Sequence, residues 1–235
     1  MSLPEALSER TLERLSAALG LAASEDVPLT SPMSPHPVGR LRVLRGGDDG
    51  VKVVTVGLVV APIGLDSHMI FVFTPPGSAV PHFTLDAVAS ADYHAMHLDL
   101  IPRAELAVNL AYLDACFLPL TTHLEQAWQL DGLSPAAVGP RQRAMMSPWM
   151  LVCRATEEAF AKLGPTVDAY LDHWLDLLDR GVPEAGGDLA ERDLAERDLV
   201  NRANLFSPDV DPVWLQVTRL LGQEQAERVR GELLR

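Results

Sequence analysis

An aspartate stands where a buried strand is expected. In Pro81 to Ala89, PHFTLDAVA, Asp86 follows Phe83 and Leu85 in a run of strand-forming residues. Successive side chains of a strand point to opposite faces, and one face is ordinarily core. A carboxyl drawn into that core without a cationic partner keeps its proton to higher pH, which is what a general acid near neutrality requires. On the residues alone, Asp86 either faces a ligand cavity and moves protons or is a structural carboxylate accepting backbone N–H bonds at a strand end. Two histidines lie close in sequence: His68 opens the preceding strand and His82 immediately precedes Phe83. Imidazole is the side chain best suited to share a proton near pH 7, although a strand-end histidine is also commonly structural. His94 and His97, in HAMH, flank the next strand; no further ligands stand at metal spacing, so no metal site is expected. Asp209 and Asp211, in PDVDP, bracket a valine in a proline-bounded loop. Both can face one cleft, or Asp211 can cap the helix that starts after Pro212.

The elements that position these groups fall into two regimes. Ser2 to Leu21 carries leucines at 3, 7, 12, 15 and 19, the pattern of an amphipathic opening helix. Residues 25 to 39, EDVPLTSPMSPHPVG, read as an extended proline-rich connection. From Arg40 the period becomes two. Arg40 to Arg45, Val51 to Ala61, His68 to Phe73, Phe83 to Ala89, His94 to Ile101 and, later, Trp149 to Arg154 read as strands. The gaps among the first five are too short for helical crossovers, so these strands are antiparallel. Pro102 to Leu130 reads as helix broken near Pro119, then comes a polar loop, and Glu157 to Leu178 resumes helix with a bend at Pro165. In DLAERDLAERDL, Asp188 to Leu199, five residues at ~100° each set successive leucines about 140° apart, so the repeat makes no coiled-coil face and reads as a partly solvated helix. Val213 to Leu234 closes the chain as a helix with Gly222 in its middle. The expected fold is one α+β domain over 1–235, a three-layer α/β/α sandwich around one mostly antiparallel sheet of six or seven strands.

Composition narrows the chemistry. With 32 acidic and 19 basic residues the net charge is −13, which opposes a nucleic-acid backbone or an anionic membrane as main partner. No segment reaches ~18 uninterrupted apolar residues and the N-terminus has no signal-peptide pattern, so a cytoplasmic protein is expected. Cys116 and Cys153 are read as buried free thiols. No GxSxG, HExxH or P-loop is present, and GGDDG lies between two strands rather than opening a helix.

Five segments bear a joint resemblance to a known family. PHFTLDAVA is similar to a P-x-F-G-x-D-I-V-A strand, HLDLIPR to a D-L-x-P strand end, and MSPWMLVCRA to an F-S-x-x-x-L-x-x-R strand. GLDSHMIFVFTPPG looks like the strand ahead of the first, and LLGQEQAERVRGELLR like a closing helix. Together they resemble the ferredoxin-dependent bilin reductases and their relative red chlorophyll catabolite reductase. The resemblance covers most of residues 40 to 235 and implies reduction of a linear tetrapyrrole, with no bound cofactor, electrons from an external ferredoxin, and protons from pocket acids. It puts Asp86 at the family's catalytic aspartate and, with one inserted residue, His68 at an active-site histidine, Met69 and His82 being the other occupants of that register. It makes Asp211 a pocket acid beside Asp209, Arg141 or Arg143 a propionate anchor, and Ser147 and Arg154 matches on the last strand. Thr84 replaces the family glycine, no acid stands near Thr55 to Leu58, Val210 replaces an asparagine and Leu234 a closing phenylalanine. The same fold used as a tetrapyrrole-binding module, or on another conjugated metabolite, is the alternative. An acidic ferredoxin requires this −13 chain to gather arginines near the pocket mouth.

Overall fold

A computed structural model describes the backbone of residues 1–47, 50–182 and 191–235, and the side chains of all of these except 191–193. Its centre is one eight-stranded antiparallel sheet: β1 (Ala22–Ser31), β2 (Ser34–Arg45), β3 (Lys52–Val60), β4 (Leu65–Phe73), β5 (His82–Ala89), β6 (His94–Ile101), β7 (Leu133–Pro135) and β8 (Leu151–Ala155). The order across the sheet is β1-β2-β3-β4-β5-β6-β8-β7, so the first six strands meander and only the last pair is exchanged. Two strands more than the six read from sequence were hidden by proline. The segment taken as an extended connection is the β1/β2 hairpin. β1 is an edge strand, where Pro28 sacrifices no ladder bond to a further neighbour. Pro35 and Pro37 fall where the register shifts between Leu29 and Ser31, a bulge that tolerates missing donors. β7 is three residues long at the opposite edge.

Period-two alternation divides the sheet into two cores. Ile70, Val72, Phe83, Leu85, Ala87, Met96, Leu98 and Leu100 point to one face, with Leu7, Leu12 and Leu15 of α1 (Leu3–Leu19) and Val167, Tyr170, Leu171 and Trp174 of α6 (Gly164–Arg180). The spacing at 167, 170, 171 and 174 is the i, i+3, i+4, i+7 stripe of a helix covering a sheet. The α1 start is fixed by a capping box between Ser2 and Glu5. α2 (Leu110–Cys116), α3 (Thr121–Trp128) and α5 (Glu157–Ala161) complete this layer, the break before α3 falling at Pro119 as the sequence predicts. Cys116 and Cys153 are buried free thiols here, pushed by burial up to about 12 and about 11.

The opposite face belongs to α7 (Glu191–Leu205), α8 (Val213–Leu221) and α9 (Gln223–Leu234), with the short α4 (Pro140–Arg143) beside them. Val54, Val56, Leu58 and Phe73 pack there against Leu205, Phe206, Trp214 and Val229. Within the DLAER stretch, residues 188–190 lie outside the described residues. Beyond them Leu194 is buried while Leu199 is 65% exposed, as a 140° offset between successive leucines requires. The closing helix is two helices, because Gly222 takes a φ of +79°, which stops α8 and lets the chain turn before α9. Lys52 fastens α9 to β3: its Nζ donates to the Glu232 carbonyl at 2.5 Å and lies 3.1 Å from its carboxylate. No described helix is long and apolar enough to cross a membrane.

Candidate functional site

Asp86 lies on the face covered by α7 to α9, because its alternation partners Phe83, Leu85 and Ala87 take the other face. The ladder places one row of side chains across the sheet: Val56, Met69, Asp86, His97 and Val152 are successive cross-strand partners. Asp86 and His97 are the two titratable groups of that row, and directly opposed residues have Cβ atoms ~5 Å apart. Above them is a cavity of about 70 Å³. Met69, Phe71, Asp86 and His97 form its floor, Leu205, Phe206, Asp211, Val213 and Trp214 its roof, and Gln142 and Met146 its side.

The polar atoms in this cavity are of two kinds. Asp211 is held: Oδ1 accepts the Val213 N–H at 3.0 Å and Oδ2 accepts from Gln142 Nε2 at 3.1 Å. It therefore both steadies the start of α8 and lines the cavity, uniting the two sequence readings. Asp86 Oδ1 and His97 Nε2 are buried and have no hydrogen-bond partner among the described residues. Burial, then the charge of Asp211, pushes the Asp86 carboxyl up to about 7. Burial pushes His97 down to about 4, so its ring is neutral at pH 7. Asp211 is also raised, by burial working against its two hydrogen bonds. An acid that exchanges its proton at neutrality, facing a cavity next to a neutral imidazole, is an arrangement able to protonate a bound ligand.

The other residues singled out from sequence divide around this geometry. His68 is on the wrong face. It shares the α1 side with Ile70 and Val72, its Nε2 is 2.7 Å from Asp66 Oδ1, and it pairs across the ladder with Gly57, where even a Cβ would come 3.2 Å from its ring. Met69 takes the position beside Asp86 instead. His82 shares the face of Asp86 but both its nitrogens are occupied: Nδ1 accepts the Thr74 N–H at 3.1 Å and Nε2 is 2.7 Å from Asp198 Oδ1. Ser147 is turned to Asp99, its hydroxyl donating to Oδ1 at 2.5 Å and its N–H to Oδ2 at 3.0 Å. Burial still raises Asp99 to about 7 against those bonds. The matching pair Asp99 and Ser147 thus fastens the lead-in of β8 to β6 rather than lining the cavity. Asp209 is exposed, and its carbonyl accepts from Arg141 at 3.2 Å, bracing the loop that carries Asp211.

Arg143 stands on the wall of a second, larger cavity of about 790 Å³, lined also by Pro102, Leu106, Met145, Met146, Arg197 and Asn201. Met146 lines both cavities, so they adjoin at this side chain. Sequence reasoning missed His97 as a site residue. The signal was present, since His97 sits an even number of residues before Asp99 in a strand antiparallel to that of Asp86, but choosing its partner required the register. Arg197 was hidden inside the DLAER repeat.

No family model matches the sequence, and no curated protein matches it. Among solved structures, the chain is similar to phytochromobilin synthase from tomato, crystallised in complex with biliverdin. The TM-score is 0.74 over 98% of this chain and 82% of that one, at 16% identity. A match of such extent at so low an identity is a likeness of fold, and it reaches beyond the strands into the helical layer above Asp86. The chain has the fold of phytochromobilin synthase, the architecture that its five sequence segments implied.

Proposed function

We propose that this protein reduces a linear tetrapyrrole, with electrons delivered singly by an external ferredoxin and protons supplied by cavity acids. The observation that carries the reading is Asp86: a carboxyl raised to about 7, facing a cavity between sheet and helices, in a fold shared with a protein crystallised with biliverdin. Reduction of one double bond adds two electrons and two protons. Two reduced ferredoxins each give up one electron; Asp86 donates the first proton to the pigment radical and Asp211 the second, and solvent restores both.

Cavity sizes support a division of labour. Ligand pockets for molecules of drug size enclose ~300–1,000 Å³. The chamber at Asp86, about 70 Å³, suits the edge of one ring, and the adjoining cavity, about 790 Å³, suits the body of the pigment. Met146 between them is unbranched and adaptable, so a ring edge can reach Asp86 by displacing it. Arg143 and Arg197, on the larger cavity, offer planar forks for propionates. Together with Arg141 these exposed arginines give an acidic ferredoxin a docking edge on a chain of net charge −13.

A second reading, binding without reduction, draws on the same row of side chains: Asp86 is flanked on the β4 side by Met69 and Val56, with no second carboxyl there. Anaerobic incubation with biliverdin, reduced ferredoxin and a regenerating system decides between them. Progressive change of the biliverdin absorbance is expected. Binding with an unchanging spectrum would sink the reductase reading in favour of the binding module; absence of binding would sink both.

A further inference from the structure

On the α1 side of the sheet, three buried polar side chains keep hydrogen-bonding capacity that the fold does not use, and they meet at one hollow. Arg40, Gly57, His68 and Ala87 are successive cross-strand partners there, and Arg42, Thr55 and Ile70 form the next row. Gly57 has no side chain to cover its neighbour, and a Cβ at this position would stand 3.2 Å from His68 Nδ1. The hollow so formed is closed over by Glu5, Ser8 and Glu9 of α1 and has a volume of about 220 Å³.

The ionic charges around it are already matched. Arg42 Nη2 lies 2.5 Å from Glu9 Oε1, and Arg40 Nη2 lies 2.8 Å from Asp26 Oδ1. Glu5, in the first turn of α1, accepts the Ser2 N–H and is offset by the positive end of the helix. What remains uncommitted is neutral. Ser8 is 5% exposed, and its hydroxyl has no partner among the described residues. Thr55, 4% exposed, accepts from Arg42 Nε at 3.3 Å, while its own O–H finds no acceptor among the described residues. His68 gives its Nε2–H to Asp66 Oδ1 at 2.7 Å, so the neutral ring presents Nδ1 as an acceptor, and no described residue bonds to it. Buried polar groups are ordinarily hydrogen-bonded, so three such groups around one cavity point to an occupant. A hydroxyl both donates and accepts, and so satisfies all three kinds of group. A charged occupant would either break a matched ion pair or stay without a counter-charge.

We propose that this cavity is a binding site for a small neutral polyol, of triose to hexose size, held by Ser8, Thr55 and His68. Its volume of about 220 Å³ lies below the ~300–1,000 Å³ of pockets for drug-sized molecules. One ligand hydroxyl donates to His68 Nδ1, another accepts from Thr55, and Ser8 does either. The sheet separates this site from the cavity at Asp86, so the assignment goes beyond the tetrapyrrole reading and does not rest on it.

The test is titration of the full chain, labelled with 15N-histidine, with glycerol and with myo-inositol, followed by NMR. The His68 signals are those absent from His68→Gln. At least one of the two polyols is expected to move the His68 Nδ1 resonance saturably while that of the exposed His36 stays in place. Ser8→Ala removes a hydroxyl that bonds nothing in the unliganded chain and introduces the better helix former, so the fold persists. It should bind about fivefold more weakly, as for one neutral hydrogen bond lost. An unmoved His68 resonance with both polyols would overturn the site, and so would a Ser8→Ala titration identical to wild type. A His68 resonance moved by acetate or methylammonium and by neither polyol would overturn the neutral ligand class.

Discussion

The face of the sheet beneath α7 to α9 holds two pairings of histidine with aspartate, and they are built in opposite ways. His82 and Asp198 bond each other at 2.7 Å, and the surroundings complete both partners. The Thr74 N–H fixes His82 as the Nε2–H tautomer, and Arg202 Nε at 3.1 Å and Arg103 Nε at 3.6 Å balance the Asp198 charge. Arg103 in turn donates to Thr74 Oγ1 and to the carbonyls of Pro75 and Pro76, and Arg202 lies over the Phe73 ring at 3.9 Å. Burial alone would raise Asp198, but the His82 bond and the two arginines outweigh it and hold the carboxyl below its ordinary value. Four residues along β5, roughly 13 Å away, Asp86 and His97 have the same chemistry without the closure. One pair is saturated and ties α7 to the sheet; the other is open and faces a cavity. Residue type does not separate the closed histidine from the open one here. What separates them is whether their hydrogen bonds are already spent.

The strongest way to break the saturated pair is to remove its anion. Asp198→Ala leaves Arg103 and Arg202 buried without their counter-charge, and loss of one partner of a buried pair costs about 3–5 kcal/mol. Urea unfolding should show a correspondingly lowered midpoint, and biliverdin binding should weaken only as far as folding does. A midpoint within error of wild type would show that the cluster is not what holds α7.

The open pair should respond in the reverse sense. Asp86→Asn removes the proposed proton donor, and general acids contribute about 10²–10⁴-fold to rate. Single-turnover reduction of biliverdin is therefore expected to slow at least a hundredfold, while stability at pH 8 stays the same or rises. Turnover at the wild-type rate would remove Asp86 from proton delivery.

How far this contrast was legible in the sequence follows from what each feature depends on. Strand alternation in PHFTLDAVA is local, so the burial of Asp86 could be read directly, as could the strand at His94 to Ile101 and the helix break at Pro119. Gly222, by contrast, was read inside one closing helix, because a helix tolerates a single glycine and only its φ of +79° splits α8 from α9. The β1/β2 hairpin could not, because proline at an edge or in a bulge looks the same in sequence as proline in a loop. His68 and His82 were chosen for closeness in sequence, whereas neighbours on a sheet face are set by register. A one-residue step sends His68 to the α1 side and brings Met69 to Asp86. The partner of His82 lies 116 residues away on α7, beyond any local pattern.

Protonation separates the two regions more gently. Asp86 and Asp99 keep their protons up to about 7 in the folded chain, and His82 and His97 refuse theirs down to about 4. Unfolded aspartates ionise near 3.9 and unfolded histidines near 6.5. From pH 4 to 7 the folded state therefore holds two carboxyl protons that the unfolded state has lost, and stability falls as pH rises through this window. From pH 4 to 6.5 the unfolded state holds two imidazolium protons that the folded state lacks, and stability rises with pH. The two trends oppose each other up to 6.5, after which only the decline remains, ending above 7. Asp86→Asn removes part of the decline, so its urea midpoint relative to wild type should climb between pH 4.5 and 8. A difference constant with pH would mean that the Asp86 carboxyl is not raised.

The smallest effect expected is at His68, and it tests whether face rather than sequence position decides function. His68 also pairs with an aspartate, Asp66 at 2.7 Å, and it lines a polar cavity of about 220 Å³ beside Arg42, Thr55 and Gly57. That cavity opens on the α1 side, and the full thickness of the sheet lies between it and Asp86. His68→Gln keeps a nitrogen near the Nε2 position, so the change in stability should stay within about 1 kcal/mol, as for one hydrogen bond altered. Biliverdin affinity, its absorption band and its rate of reduction should all match wild type. A selective loss of reduction rate with unchanged affinity would instead mean that protons cross from the α1 face, and the division of this sheet into a closed side and an open one would have to be redrawn around His68.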